Sequence, residues 1–266
     1  GKSTLLKLLA GHIFATSGEI RLFNAHAEKE LAVARRRMGA MVESPGLIPG
    51  MTAGQLLEYY RIQKGIPGRG KTEEMLKLTG IWEKSKCRCK NLSMGQKQRL
   101  GLAVALLGEP EALILDEPLN GLDPSGIIEL RTLLKRLNQE KNITILLSSH
   151  ILPELEQTAT EFGFLSRGRL LEEISARELS EKCADCLEVE VSEPEKYAAL
   201  LDGAFPGERC QVLPDGTLRM LCSEREPEEY GRLAMEHGIA VKRLEKRHGS
   251  LEEYYINLKN GGAQVC

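Results

Sequence analysis

Two adjacent acids, Asp116 and Glu117, follow the apolar run Ala112 to Leu115, and Lys2, Ser3 and Thr4 follow a glycine at position 1. Carboxylates at a strand end can hold a divalent cation or draw a proton from water. A Gly-Lys-Ser-Thr sequence opening a helix offers backbone N–H groups, an ammonium and a hydroxyl to phosphate oxygens. A full phosphate-binding loop reads G-x-x-x-x-G-K-[ST], and the chain carries its last glycine, lysine and hydroxyl. In that reading Lys2 reaches the β- and γ-phosphates and Ser3 ligates Mg²⁺. Neither half decides alone, since an acid pair closing a strand is ordinarily solvated. Together they point to a nucleoside triphosphate.

Elements must bring these residues together. Leu5 to Ala10 carry an apolar helical stripe that stops at Gly11. Ala112 to Leu115 suit a strand buried on both faces of a parallel sheet, whose carboxyl end is where open α/β sheets bind ligands. Met38 to Val42 read as another strand, ending at Glu43 before the loop Ser44-Pro45-Gly46, and Ile143 to Leu147 as a third, leading to His150. Glu19 to Phe23 alternate and predict a strand; Leu31 to Arg37 predict a basic helix. From Thr52 to about Leu106 the apolar spacing is helical, and Leu130 to Leu137 predict a further helix. Ser93 has the character of a helix N-cap, and Gly95 lets backbone approach a ligand closely.

In this order the chain resembles the ATP-binding subunits of ABC transporters across most of residues 1 to 173. The resemblance is carried by Gly1-Lys2-Ser3-Thr4, the signature Leu92-Ser93-Met94-Gly95-Gln96, the strand ending in Asp116-Glu117, the Gly121-Leu122-Asp123 turn, and His150 after Ser148-Ser149. It implies an α/β P-loop NTPase core with a helical subdomain at about 52–106. Gly1, Lys2, Ser3 and Thr4 would hold the phosphates of ATP, and Ser3 and Asp116 would hold Mg²⁺. Glu117 would be the general base and His150 the sensor of the γ-phosphate. Ser93, Gly95 and Gln96 would complete the ATP site of a second, head-to-tail subunit, with Asp123 communicating between sites. Glu43 stands where the family usually has a glutamine beside metal and attacking water; it is expected to touch the metal and couple it to the membrane partner. Glu43 in Val-Glu-Ser-Pro-Gly-Leu-Ile-Pro is similar to the bacitracin and lantibiotic-type export ATPases. The partners implied are a transmembrane permease and a second ATP-binding subunit, on the inner face of the cell membrane.

The same resemblance leads to the expectation that the chain begins inside the phosphate loop, with the first strands and the adenine-stacking aromatic residue preceding Gly1. A truncated fragment with only an interaction role is therefore an alternative. ABC ATPases acting on DNA or ribosomes are disfavoured, because no sustained heptads separate Lys2 from Ser93 and only one cassette is present.

The 266 residues carry a net charge of −2 and a pI near 6.3, without the basic footprint of a nucleic-acid binder. Arg35-Arg36-Arg37 and Lys84 to Lys90 read as solvated faces. No apolar run approaches the roughly 20 residues that span a bilayer, so a membrane role needs another chain. The opening of the sequence has none of the features of a secretory leader. The 7 cysteines are irregularly spaced. Cys87-x-Cys89 and Cys183-x-x-Cys186 read as ordinary thiols rather than a zinc module. His12, His26, His237 and His248 receive no role, and Tyr59-Tyr60 are expected to pack rather than stack bases.

Phe162 to Leu165 and Arg169 to Leu171, joined through Ser166-Arg167-Gly168, read as a hairpin closing the ATPase domain, 1–173. Residues 174–266 then predict β-α-β-β-α-β: Leu187 to Val191, Glu195 to Leu201, Gln211 to Leu213, the turn Pro214-Asp215-Gly216, Leu218 to Leu221, Glu226 to Gly238, and Ile239 to Leu244. That order suggests a ferredoxin-like accessory domain. Its final helix, from Ser250 to Tyr255, resembles the terminal helix of drug-export ABC subunits.

Overall fold

The computed structural model describes all residues except 43–45, 184–185, 207, 214, 222–224, 248 and 260–266. The expectations for Glu43, Pro214 and His248 therefore lie outside the described residues. The chain divides into two compact units, Gly1–Ile151 and Leu152–Cys266.

In the first unit the elements run α1 (Lys2–Ala10), α2 (Glu28–Ala34), β1 (Met38–Met41), α3 (Ala53–Gln63), α4 (Gly70–Leu78), α5 (Met94–Leu106), β2 (Ala112–Asp116), α6 (Pro124–Lys141) and β3 (Thr144–Ser148). The three strands form a parallel sheet in the order β1-β2-β3. Its register pairs Met41 with Leu115, Leu115 with Leu147, and Asp116 with Ser148. Leu113, Ile114 and Leu115 are fully buried, as an apolar run covered on both faces requires. Helix α5 packs directly on β1: a Cβ on Gly39 would lie 2.3 Å from the Ala105 carbonyl oxygen, so the strand tolerates no side chain there.

Local chemistry fixes the helix ends. Gly11 (φ +79°) closes α1 in the left-handed conformation, and Arg35 donates to the Leu9 and Leu8 carbonyls at that end, at 3.0 and 3.2 Å. Thr52 with Gln55, and Ser93 with Gln96, form capping boxes at α3 and α5. Asp123 caps α6, with Pro124 at its first position.

The strand expected at Glu19 to Phe23 does not form. The only pairing there is the isolated bridge Leu22–Ala25 around a Phe23-Asn24 turn. Alternation alone does not make a strand, because an extended segment must find a neighbour for its ladder. The basic segment is helical only to Ala34; Arg35–Arg37 tighten into a 3₁₀ turn.

The second unit contains α7 (Leu152–Glu156), β4 (Glu161–Ser166), β5 (Arg169–Ser175), α8 (Ala176–Lys182), β6 (Cys186–Val191), α9 (Pro194–Ala204), β7 (Arg209–Val212), β8 (Leu218–Leu221), α10 (Pro227–Glu236), β9 (Val241–Arg247) and α11 (Leu251–Lys259). The hairpin β4-β5 shares a core with α8 and α11 through Phe162, Phe164, Ile174, Leu179, Leu251 and Tyr254. The aromatic face of this hairpin packs on the aromatic face of α11. Lys182 Nζ bridges Glu172 (2.8 Å) and the Tyr254 hydroxyl (3.1 Å) beside it.

The other four strands form an antiparallel sheet in the order β7-β8-β6-β9. Alternate residues of β6, namely Leu187, Val189 and Val191, face a core that includes Tyr197 and Tyr230. The intervening Glu188 is buried beside Arg219, at 2.8 Å, and Arg243, at 3.7 Å.

Among the described residues no helix is long and apolar enough to cross a membrane. Nor do they hold a group of three His, Cys, Asp or Glu that could hold a metal ion. Tyr60 packs edge-on against Tyr59 and donates to the Gly46 carbonyl at 2.7 Å, as a packing residue does.

Candidate functional site

The parallel register of β2 and β3 delivers Asp116 and Ser148 side by side at the carboxyl end of the sheet. Asp116 is 6 % exposed, and its Oδ1 accepts from Ser148 Oγ at 2.6 Å and from Ser3 Oγ at 3.2 Å. A buried carboxylate needs donors of this kind. Ser3 is in the first turn of α1, so this bond fixes the start of that helix against the end of β2.

Glu117 turns out of the sheet with φ +50°, a left-handed conformation that non-glycine residues rarely adopt. Two acceptors on one residue hold it there: its N–H donates to the Ser148 carbonyl at 3.2 Å and to Ser148 Oγ at 3.1 Å. The turn aims the carboxylate at His150. Oε2 accepts from the His150 backbone N–H at 3.2 Å and lies 2.8 Å from Nδ1. A carboxylate only accepts, so Nδ1 carries the proton and Nε2 faces away from the acid. Oε1 lies 3.9 Å from Lys2 Nζ. Asp116 is sequestered, whereas the side chains of Glu117 and His150 are 25 % and 60 % exposed, open to a substrate.

The donor set fits a small hard cation. Ser3 Oγ and Asp116 Oδ1 are 3.2 Å apart, close to the roughly 2.9 Å edge between neighbouring oxygens of a Mg²⁺ octahedron. Nearby, the first-turn N–H groups of α1 and the Lys2 ammonium supply positive charge for phosphate. Gly1 occupies the N-cap position of α1, its carbonyl accepting from Leu5 N–H at 3.0 Å, and Thr4 follows in the first turn.

The remaining sequence-derived residues form a separate group. Ser93 Oγ accepts from Gln96 N–H at 3.3 Å while Gln96 Oε1 accepts from Ser93 N–H at 3.1 Å. Asp123 accepts from Gly126 N–H at 3.1 Å and Ser125 Oγ at 3.0 Å; these bonds, the Ser125 one first, hold its carboxyl below the usual range. The bonds named for Lys2, Ser3, Asp116, Glu117 and His150 reach none of them. Gly95 and Leu122 touch closely, since a Cβ on Gly95 would lie 2.9 Å from Leu122 Cδ2. Ser148 is the residue the sequence reading passed over. The available signal was a hydroxyl ending an apolar strand two positions before His150.

A family described as "ABC transporter" matches residues 1–120, and one described as "AAA domain, putative AbiEii toxin, Type IV TA system" matches residues 89–155. The chain is 38 % identical to a bacitracin transport ATP-binding protein of Bacillus licheniformis, covering 98 % of this chain and 86 % of that protein. The chain belongs to the ABC transporter ATP-binding family. A bacitracin transport ATP-binding protein of Enterococcus faecalis is 33 % identical over 98 % of this chain and 85 % of its own length. A lantibiotic transport ATP-binding protein of Streptococcus pyogenes is 37 % identical over 64 % of this chain and 72 % of its own length.

Among solved structures, a dimeric ATP-binding cassette in a post-hydrolysis state with ADP and Pi superposes with a TM-score of 0.61. It is 28 % identical and covers 66 % of this chain and 81 % of that one. A cassette from Clostridium perfringens that is part of an ABC transporter complex gives 0.60 at 27 % identity, covering 77 % and 80 %. This ABC subunit is thus an α/β P-loop ATPase that binds and hydrolyses ATP.

Proposed function

We propose that this ABC subunit is the motor of an exporter for a peptide antibiotic or related drug. It works as a head-to-tail pair beneath a transmembrane permease, on the cytoplasmic face of the cell membrane. The names of its bacitracin and lantibiotic relatives support the cargo class, and the dimeric cassettes support the pairing.

The observation that carries the reading is the Glu117 carboxylate, held twice by His150 and 3.9 Å from Lys2. Lys2 and the amino end of α1, with Gly1 and Thr4, neutralise the β- and γ-phosphates. Ser3 and Asp116 hold Mg²⁺, which would supply charge neutralisation to the phosphate oxygens. Ser148 keeps Asp116 oriented. Glu117 takes a proton from water as the water oxygen bonds the γ-phosphorus and the bond to the β,γ-bridging oxygen breaks, the electron pair leaving with ADP. With Nδ1–H committed to Glu117, Nε2 of His150 carries a lone pair and can accept from the attacking water, which helps to position it. Glu43, on the sequence pattern following β1, joins the metal site and its coupling to the permease. Ser93, Gly95 and Gln96 meet the γ-phosphate held by the second copy, and Asp123 links the two sites. We read residues 1–173 as the ATPase domain and 174–266 as an accessory domain; the strand order β7-β8-β6-β9 supports a ferredoxin-like topology for the latter.

Glu117→Gln removes the base but keeps the acceptor for His150. It should abolish ATP turnover while the protein retains bound ATP with Mg²⁺; normal turnover in that variant would overturn the assignment.

A further inference from the structure

Within Leu92–Gln96, Met94 is the exposed residue to which the proposed function gives no task. It opens α5 directly after the Ser93 cap, and it is 56 % exposed. Its side chain nevertheless rests on the turn that ends in Asp123: a methyl on Gly121, at φ +72°, would lie 2.7 Å from Met94 Cγ and 3.5 Å from Met94 Cβ. Beside it Gly95 abuts Leu122. Farther along the same two helices Arg99 Nη2 donates to Glu129 Oε2 at 2.5 Å, while its Nη1 donates to the Thr79 carbonyl at 3.3 Å. Helix α5 therefore meets the turn before α6 at two points and α6 itself at a third, and the first of them is an unbranched thioether side chain.

The consequence concerns two turns that must act together. Ser93 caps α5 and Asp123 caps α6, and both are expected to face a second copy of the chain. If the turns shifted independently, the partner's nucleotide would meet one before the other, and closing the pair would require ordering the second turn afterwards. We propose that Met94 is a positioning residue: seated on Gly121, it joins the Ser93 and Asp123 turns into one edge that a second copy meets as a unit. This inference rests on the paired-cassette reading above.

The test uses the full chain with Met94→Ala, Met94→Leu, Gly121→Ala and the double variant Met94→Ala/Gly121→Ala. Turnover is measured with Glu117 intact, and ATP-driven pairing by sedimentation in the Glu117→Gln background. Met94→Ala should lower both by about three- to tenfold, as contact couplings do. Single-subunit ATP affinity and thermal midpoint should stay at the unsubstituted values, since the side chain is half exposed, and Met94→Leu should restore pairing. Gly121→Ala should be worse than Met94→Ala. The double variant should then fall short of the product of the two losses, because removing Cγ leaves the new methyl only Cβ, at an ordinary 3.5 Å.

Unchanged pairing and turnover in Met94→Ala, or strictly multiplicative losses in the double variant, would overturn the proposal. Failure of the unsubstituted protein to pair with ATP would instead remove the paired-cassette reading on which it rests.

Discussion

Replacing Ser148 by alanine deletes one hydroxyl and disturbs both acids at once. Its Oγ donates to Asp116 Oδ1 at 2.6 Å and accepts from the Glu117 N–H at 3.1 Å. Asp116 is nearly inaccessible to water, so the lost donor is not replaced by solvent, and Ser3 at 3.2 Å is left as the hydroxyl facing Oδ1. A hydrogen bond to a charged group contributes about 1.5–3 kcal/mol. The Glu117 N–H keeps the Ser148 carbonyl, so that loss is smaller. Ser148→Ala should therefore destabilise the first unit by about 2 kcal/mol, or about 4–8 °C in melting temperature for a unit of this size. Turnover should fall because Asp116 and Glu117 lose a shared support. Denaturant unfolding and a steady-state ATPase assay read the two effects, and Ser148→Thr, which keeps the hydroxyl, is the control. If Ser148→Ala unfolds within about 0.5 kcal/mol of the parent, the ordinary scatter of surface substitutions, and turns over normally, the hydroxyl does not support the site.

His150→Ala should retain ATP binding and reduce turnover by about 10²-fold, the lower end of what a positioned proton-handling group supplies; single-turnover kinetics check it. Glu58 ties α3 to α4, and its hydrogen bond from Arg61, aided by Thr72, holds its carboxyl down to about 2 from 4.5. A depressed folded-state value means this contribution is complete above about pH 4.5 and is lost as pH falls toward 2. Glu58→Gln should accordingly flatten stability against pH across that window, as read by circular dichroism during acid titration. Tyr254→Phe removes the hydroxyl from Lys182 and Glu172 while leaving their own 2.8 Å pair, so it should cost about 1 kcal/mol. The loss should appear as faster hydrogen exchange confined to α11 and its hairpin.

What could be read from residues alone was what depends on near neighbours. The Ser93 cap, the apolar run of β2, the Gly11 stop and the alternation of β6 are all signals contained within a few positions, and each element stands where they put it. The placing of Ser148 beside Asp116 has another origin. It follows from the β2–β3 register, which is set by long-range packing and which no local pattern encodes. The same limit explains Glu19 to Phe23, whose alternation is real but whose pairing is a single bridge.

The left-handed backbone at Glu117 carries a consequence for how such a subunit drifts over generations. Strain of this sort costs about 1–3 kcal/mol, and asparagine or glycine would sit at φ +50° more comfortably than glutamate. Mutation under selection for heat tolerance alone would therefore favour losing the acid. The glutamate persists only while ATP turnover is itself under selection, so a lineage freed from transport should surrender this position early and gain thermal stability by doing so.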